Sequence, residues 1–86
     1  MPLFWTVIYA PKAERDLEGL GEELAKKVIL LMDKIALDPY RLLEKMTNSP
    51  FYKFRIGVYR GIVDIINDKL ILHVVKIKHR SQVYKK

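Results

Sequence analysis

The last third of this 86-residue chain leaves the least freedom in how it can fold. Tyr52 to Ile56 alternates, with Tyr52, Phe54 and Ile56 on one face and Lys53 and Arg55 on the other. Gly57 marks a turn. Val58 to Ile66 reads as a second strand, and Asn67-Asp68 as a tight hairpin into a third, Leu70 to Lys78. Strands joined by connections this short pair in order, as an antiparallel meander.

The first half is mostly helical. Leu3 to Ala10, rich in aromatic and β-branched residues, predicts an N-terminal strand. Pro11 suits the first position of a helix on which Ala13, Leu17 and Leu20 share a face, until Gly19 and Gly21 interrupt it. Leu24, Val28, Leu31 and Ile35 then recur at the helical period, with Glu22, Glu23, Lys26, Lys27 and Lys34 as the solvated side. Asp38-Pro39 caps one further turn, through about Lys45, and Thr47-Asn48-Ser49-Pro50 is a loop. The expected fold is α+β: an N-terminal strand, two helices, then a three-stranded antiparallel meander, with the helices packed on one sheet face. Residues 1–86 form a single domain without repeats or linkers.

Charge is distributed unevenly along this pattern. Residues 1–50 hold seven Lys/Arg against eight Asp/Glu, while residues 51–86 hold nine against two, a net of −1 and +7. The basic excess therefore belongs to the predicted sheet, a concentration that points to a polyanion as partner. A solubility surface is the plainer alternative.

Several chemistries are excluded by what is absent. There is no cysteine, so there are no disulfides, thiolate metal sites or cysteine nucleophiles. Two histidines, His73 and His79, are too few for a histidine metal centre, and no metal or cofactor is expected. The four glycines fit no phosphate-binding loop motif. Ser49 and Ser81 are the only serines, and carboxylates in the sheet region are limited to Asp64 and Asp68. The apolar stretch near the N-terminus is about half a membrane span, so neither a membrane segment nor a signal peptide is expected, and the default location is the cytoplasm.

What remains is a set of cations. Lys53 and Arg55 share a strand face, Arg60 lies just past the Gly57 turn beside them, Lys76 and Lys78 share a face of the last strand, and Arg80 follows it. Such a cluster can act on RNA without a metal, because the 2′-hydroxyl is a built-in nucleophile. Arginine forks hold phosphate oxygens, and a lysine or tyrosine crowded by cations approaches general-base duty. Simple nucleic-acid binding fits the charge equally well.

The string NSPFYKFRIGVYRGIVDIINDKLILHVVKIKHRSQVY resembles the C-terminal half of RelE toxins of the RelE/ParE toxin–antitoxin systems, archaeal members included. The pattern is an aromatic-Lys-x-Arg strand, a turn with Tyr-Arg, a hairpin, and an apolar strand ending in His-Arg-x-x-Val-Tyr. The N-terminal strand, the helices and the DPYRLLEKM segment fit the same family. The resemblance implies a ribosome-dependent mRNA interferase that cuts the A-site codon by 2′-hydroxyl attack. It implies a RelB-type antitoxin that wraps the toxin, commonly as a heterotetramer. It also implies Lys53 and Arg55 in a basic active-site strand, Arg60 on the phosphate, Arg80 as a further transition-state cation and Tyr84 in stacking or proton transfer.

Some relatives carry lysine where this chain has Arg55. Arginine is a poor base, so proton abstraction falls to Lys53 or Tyr84. The spacing before Val83-Tyr84 varies in the family, so Lys78 or His79 can share the role given to Arg80. Lys76 and Tyr59 complete the candidate substrate-binding set. For Tyr59 and Tyr52 strand-face packing is the plainer reading, as it is for His73, and Trp5 is expected in the core or facing the antitoxin. Two competing functions stand beside the nuclease. One is a ParE-like toxin that inhibits DNA gyrase by binding; the other is a non-catalytic module that binds RNA or antitoxin.

Overall fold

The structure is a computed structural model and describes residues 5–80. Five strands form one sheet in the order β1-β5-β4-β3-β2. They are β1 (Thr6–Tyr9), β2 (Glu44–Lys45), β3 (Tyr52–Ile56), β4 (Tyr59–Ile66) and β5 (Ile71–His79). The helices are α1 (Pro11–Leu20), α2 (Glu22–Ile35) and the single turn α3 (Pro39–Leu42). Strands β2 to β5 run antiparallel in sequence order, and β1 pairs parallel with β5 at the far edge. The expected α+β meander with helices on one sheet face is what the chain forms.

The helices lie over one face because their apolar stripes match it. Ala13 of α1 and Val28, Met32 and Ile35 of α2 are buried together with Phe54, Val63, Leu72, Val74 and Ile77 of the sheet. Met32 belongs to this stripe although the periodic reading passed over it; Leu24 and Leu31 are half-buried beside it. Pro11 opens α1 without needing a hydrogen-bond partner for its nitrogen. Gly21, at φ 91°, separates α1 from α2 in a conformation that disfavours a side chain.

Two local readings need correction. The turn after Asp38 ends at Leu42 and does not reach Lys45. Leu43 is extended and buried, and Glu44 and Lys45 pair with Lys53 and Tyr52 as a short edge strand. Asp38 sits at the N-cap but makes no side-chain capping bond; its carbonyl accepts from the Arg41 and Leu42 amides instead. The β4–β5 connection is a three-ten turn, Asn67–Lys69, closed by Leu70 in the left-handed region at φ 53°. Tyr40 fastens this turn to α3 by donating its hydroxyl to Asn67 Oδ1 at 2.8 Å. Its ring meets those of Trp5 and Tyr52 edge-on, at 6.0 and 6.1 Å between centroids.

One irregularity sets which charges reach solvent. Leu72 and Val74 point to the helices, and strict alternation would send Lys76 after them into the core. A bulge prevents this. Ile62 pairs with Lys76 and Val63 with Val74, leaving Val75 as the extra residue in β5. Beyond it Ile77 takes the inward position, and Lys76 and Lys78 emerge on the face away from the helices.

Candidate active site on the open sheet face

Strand register assembles the open face. Arg55 lies opposite Arg60, and Arg60 opposite Lys78, so one rung across β3, β4 and β5 carries three cations. The next rung holds Lys53, Ile62 and Lys76. Like charges directly opposite one another destabilise a sheet. No described residue forms a salt bridge to any of these five side chains; the ion pairs present are Lys12–Asp16 and Lys26–Glu22.

The end of the first rung closes into a cleft. The Arg80 amide donates to the Val58 carbonyl at 2.6 Å, which holds the end of β5 against the β3–β4 turn. Gly57, at φ 58°, makes that turn. The result is a cavity of about 160 Å³ in which Arg55, Arg60 and Arg80 line the same space, beside Val58 and Tyr59. Arg60 is half-buried and the other two arginines are exposed. Three guanidinium groups around so small a space suit a tetrahedral anion held by forked contacts.

The other candidates take different places. Lys53 shares the face but stands one rung away and does not line the cleft. Tyr59 lies on the helix side of β4, packed against the core, and meets the His79 ring edge-on at 5.3 Å. His79 is exposed and opens with Lys76 and Lys78 onto a broader groove of about 570 Å³ along α1. Lys76 gives up its proton more readily than an ordinary lysine. The closeness of the Lys78 ammonium is the main cause, followed by partial burial and the charge of Lys12, with Asp16 opposing. His73 is half-buried opposite Asp64. Tyr84 lies outside the described residues. Among the described residues no group of three or more His, Asp or Glu side chains is placed to hold a metal ion. No described helix is long and apolar enough to cross a membrane.

The charge pattern did not reveal two features. Lys12 and Arg15 of α1 join Lys76 and Lys78 in lining the groove; their i, i+3 spacing puts them on neighbouring positions of the helix surface. Asp16 anchors α1 there. Its Oδ2 accepts from the Ile77 amide at 2.9 Å, on the stretch of β5 beyond the reach of β1, and its Oδ1 accepts from Lys12 Nζ at 2.6 Å.

Fold and charge together define a class: a small α+β domain that gives one sheet face to its helices and the other to cations, with arginines gathered at one end. The chain belongs to the ParE toxin family of type II toxin–antitoxin systems, whose model matches residues 7–84, and is thus a toxin of the RelE/ParE superfamily. Solved structures share the fold. The RelBE2 toxin–antitoxin complex from Mycobacterium tuberculosis matches at TM-score 0.81 and 20% identity, covering 94% of this chain and 97% of that one. The intact Escherichia coli RelBE complex matches at 0.75 and 16%, covering 87% and 95%. The RelB–RelE complex from Methanococcus jannaschii matches at 0.72 and 19%, covering 91% and 95%. No curated protein sequence matches the chain.

Proposed function

We propose that this toxin is a metal-independent endoribonuclease that cleaves mRNA in the ribosomal A site and so stops translation. The observation that carries the reading is the run Arg55–Arg60–Lys78, with Arg80 at its end, unpaired by any described carboxylate. A cluster of this kind is costly in the free protein and becomes favourable when it holds a phosphate. In the reaction the 2′-oxygen bonds to phosphorus as the P–O5′ bond breaks, and the leaving 5′-oxygen takes a proton from solvent water, which gives a 2′,3′-cyclic phosphate and a 5′-hydroxyl. Arg55, Arg60 and Arg80 neutralise the charge that builds on the phosphate oxygens. Lys53 or Tyr84 takes the 2′-hydroxyl proton, and Lys76, with its loosened proton, lies on the same rung as Lys53. Lys76, Lys78, His79 and Tyr59 hold the flanking strand.

The partner in the cell is a RelB-type antitoxin, as the toxin–antitoxin complexes among its structural relatives suggest, and a heterotetramer is the assembly expected from the family resemblance. Exposed Ile29, Leu30, Leu37 and Leu42 supply apolar surface for it. The decisive experiment is cleavage of mRNA on programmed ribosomes with identification of the product ends. Cyclic phosphate ends, lost in Arg60→Ala and Arg80→Ala, are expected; cleavage unchanged in both variants overturns the assignment.

The family match itself favours a second reading, gyrase inhibition by binding. It predicts that DNA replication stops before translation after induction, whereas the nuclease stops translation first.

A further inference from the structure

The open face carries a second cavity beside the arginine cleft, and its chemistry differs. It holds about 170 Å³, and its walls are Met46, Phe51, Ile62 and Val75. Arg60, Lys76 and Lys78 stand at the same cavity. Ile62 is only 5% exposed yet lies outside the core cluster, since its rung faces away from the helices. Two structural devices build this space. The loop after β2 folds back through the Met46 amide, which donates to the Phe51 carbonyl at 3.0 Å. The bulge in β5 leaves Val75 as the extra residue beside Lys76.

We propose that this cavity is a slot for one nucleobase of the strand whose phosphate occupies the arginine cleft. Arg60 lines both spaces, so they adjoin across one side chain of β4, as the phosphate and the base of one nucleotide require. The size suits a flat ring, since an apolar cavity of about 150 Å³ accepts benzene. Phe51 supplies an aromatic ring for stacking, and Met46, Ile62 and Val75 supply apolar contact. The cations at the slot favour a ligand that brings negative charge with its ring, which a nucleotide does and an uncharged apolar molecule does not. The slot rests on the RNA reading of the neighbouring arginines and adds where the base goes.

The test is a methyl and arginine side-chain NMR titration of the isotope-labelled full chain with adenosine 5′-monophosphate, cytidine 5′-monophosphate and ribose 5-phosphate. All three should move the Arg60 signal. Only the two nucleotides should move the Met46, Ile62 and Val75 methyls, through the ring current of the base. Nucleotide shifts confined to the arginines, as with ribose 5-phosphate, overturn the slot and leave the phosphate reading standing. No arginine response to any ligand overturns both. Phe51→Leu should weaken nucleotide binding about fivefold or more, from the loss of base–aromatic stacking, and leave ribose 5-phosphate unchanged. Equal weakening of both ligands in this variant counts against a base slot.

Discussion

Phe54 and Gly61 face each other across β3 and β4, and the Phe54 ring fills the space that a side chain at position 61 would need. A Cβ built on Gly61 would overlap Cε2 and Cζ of that ring. Phe54 is 4% exposed and belongs to the buried cluster, so its ring has little room to retreat. Gly61→Ala is therefore expected to destabilise the fold by about 1–3 kcal/mol, the usual cost of overpacking a core. Phe54→Leu in the same chain should recover part of the loss, because the smaller side chain clears the clash. Urea denaturation of the two single variants and the double variant measures this coupling. Strict additivity would show that the ring and the glycine do not interact.

Arg60 stands between Arg55 and Lys78, so removing its charge relieves repulsion on both sides. Arg60→Gln is expected to leave thermal stability unchanged or raise it by up to about 1 kcal/mol. The same variant should bind RNA more weakly, and the slope of log affinity against log salt should fall by about one unit. Fluorescence anisotropy with a labelled RNA oligonucleotide across a salt series checks both. A variant that loses stability and keeps its salt slope would make Arg60 a structural residue.

How far these relationships could be read in advance depends on the range over which each is encoded. The Tyr52–Ile56 alternation and the Gly57 turn are local signals, and they fix the pairing that puts Arg60 opposite Arg55. The convergence of Arg55, Arg60 and Arg80 follows from that pairing once β5 returns alongside. The bulge is written more faintly, as a break in parity between Val74 and Ile77 that becomes unambiguous only when both prove buried. The Glu44–Lys45 strand was hidden because its charged residues continue a helical stretch, and only the burial of Leu43 takes the chain out of the helix. Asp16 could not be singled out at all. Its partner, the Ile77 amide, is 61 residues away, and nothing in the periodicity of α1 marks it.

That distant bond gives the next prediction. Asp16→Ala removes the acceptor for the Ile77 amide and the partner of Lys12 together. A backbone donor left without a partner in a partly buried place costs about 1–3 kcal/mol. Asp16→Asn keeps a carbonyl oxygen for the amide and loses only the pair with Lys12, whose side chain is 60% exposed, so its cost should stay below about 1 kcal/mol. Hydrogen exchange at the Ile77 amide separates the two, with protection lost in Asp16→Ala and kept in Asp16→Asn. Equal loss in both variants would assign the stability to charge and not to the amide bond.

Tyr9 makes the fold sensitive to alkali. Burial, with the nearby Asp33 carboxylate adding to it, pushes its phenol from the ordinary value near 10 up to about 12. The folded chain thus keeps a proton that the unfolded chain gives up in this interval, and stability falls as pH rises from 10 towards 12. Lys76 acts in the opposite sense. Its lowered value means that the folded chain sheds a proton first, so stability is regained as pH rises towards the ordinary lysine value of 10.5. Tyr9→Phe removes the first effect and leaves the second. In urea titrations between pH 9 and about 11.5, the wild-type chain should lose stability more steeply than Tyr9→Phe, with the curves diverging above pH 10. Parallel curves would mean that the Tyr9 hydroxyl reaches water as freely in the folded protein as in the unfolded one.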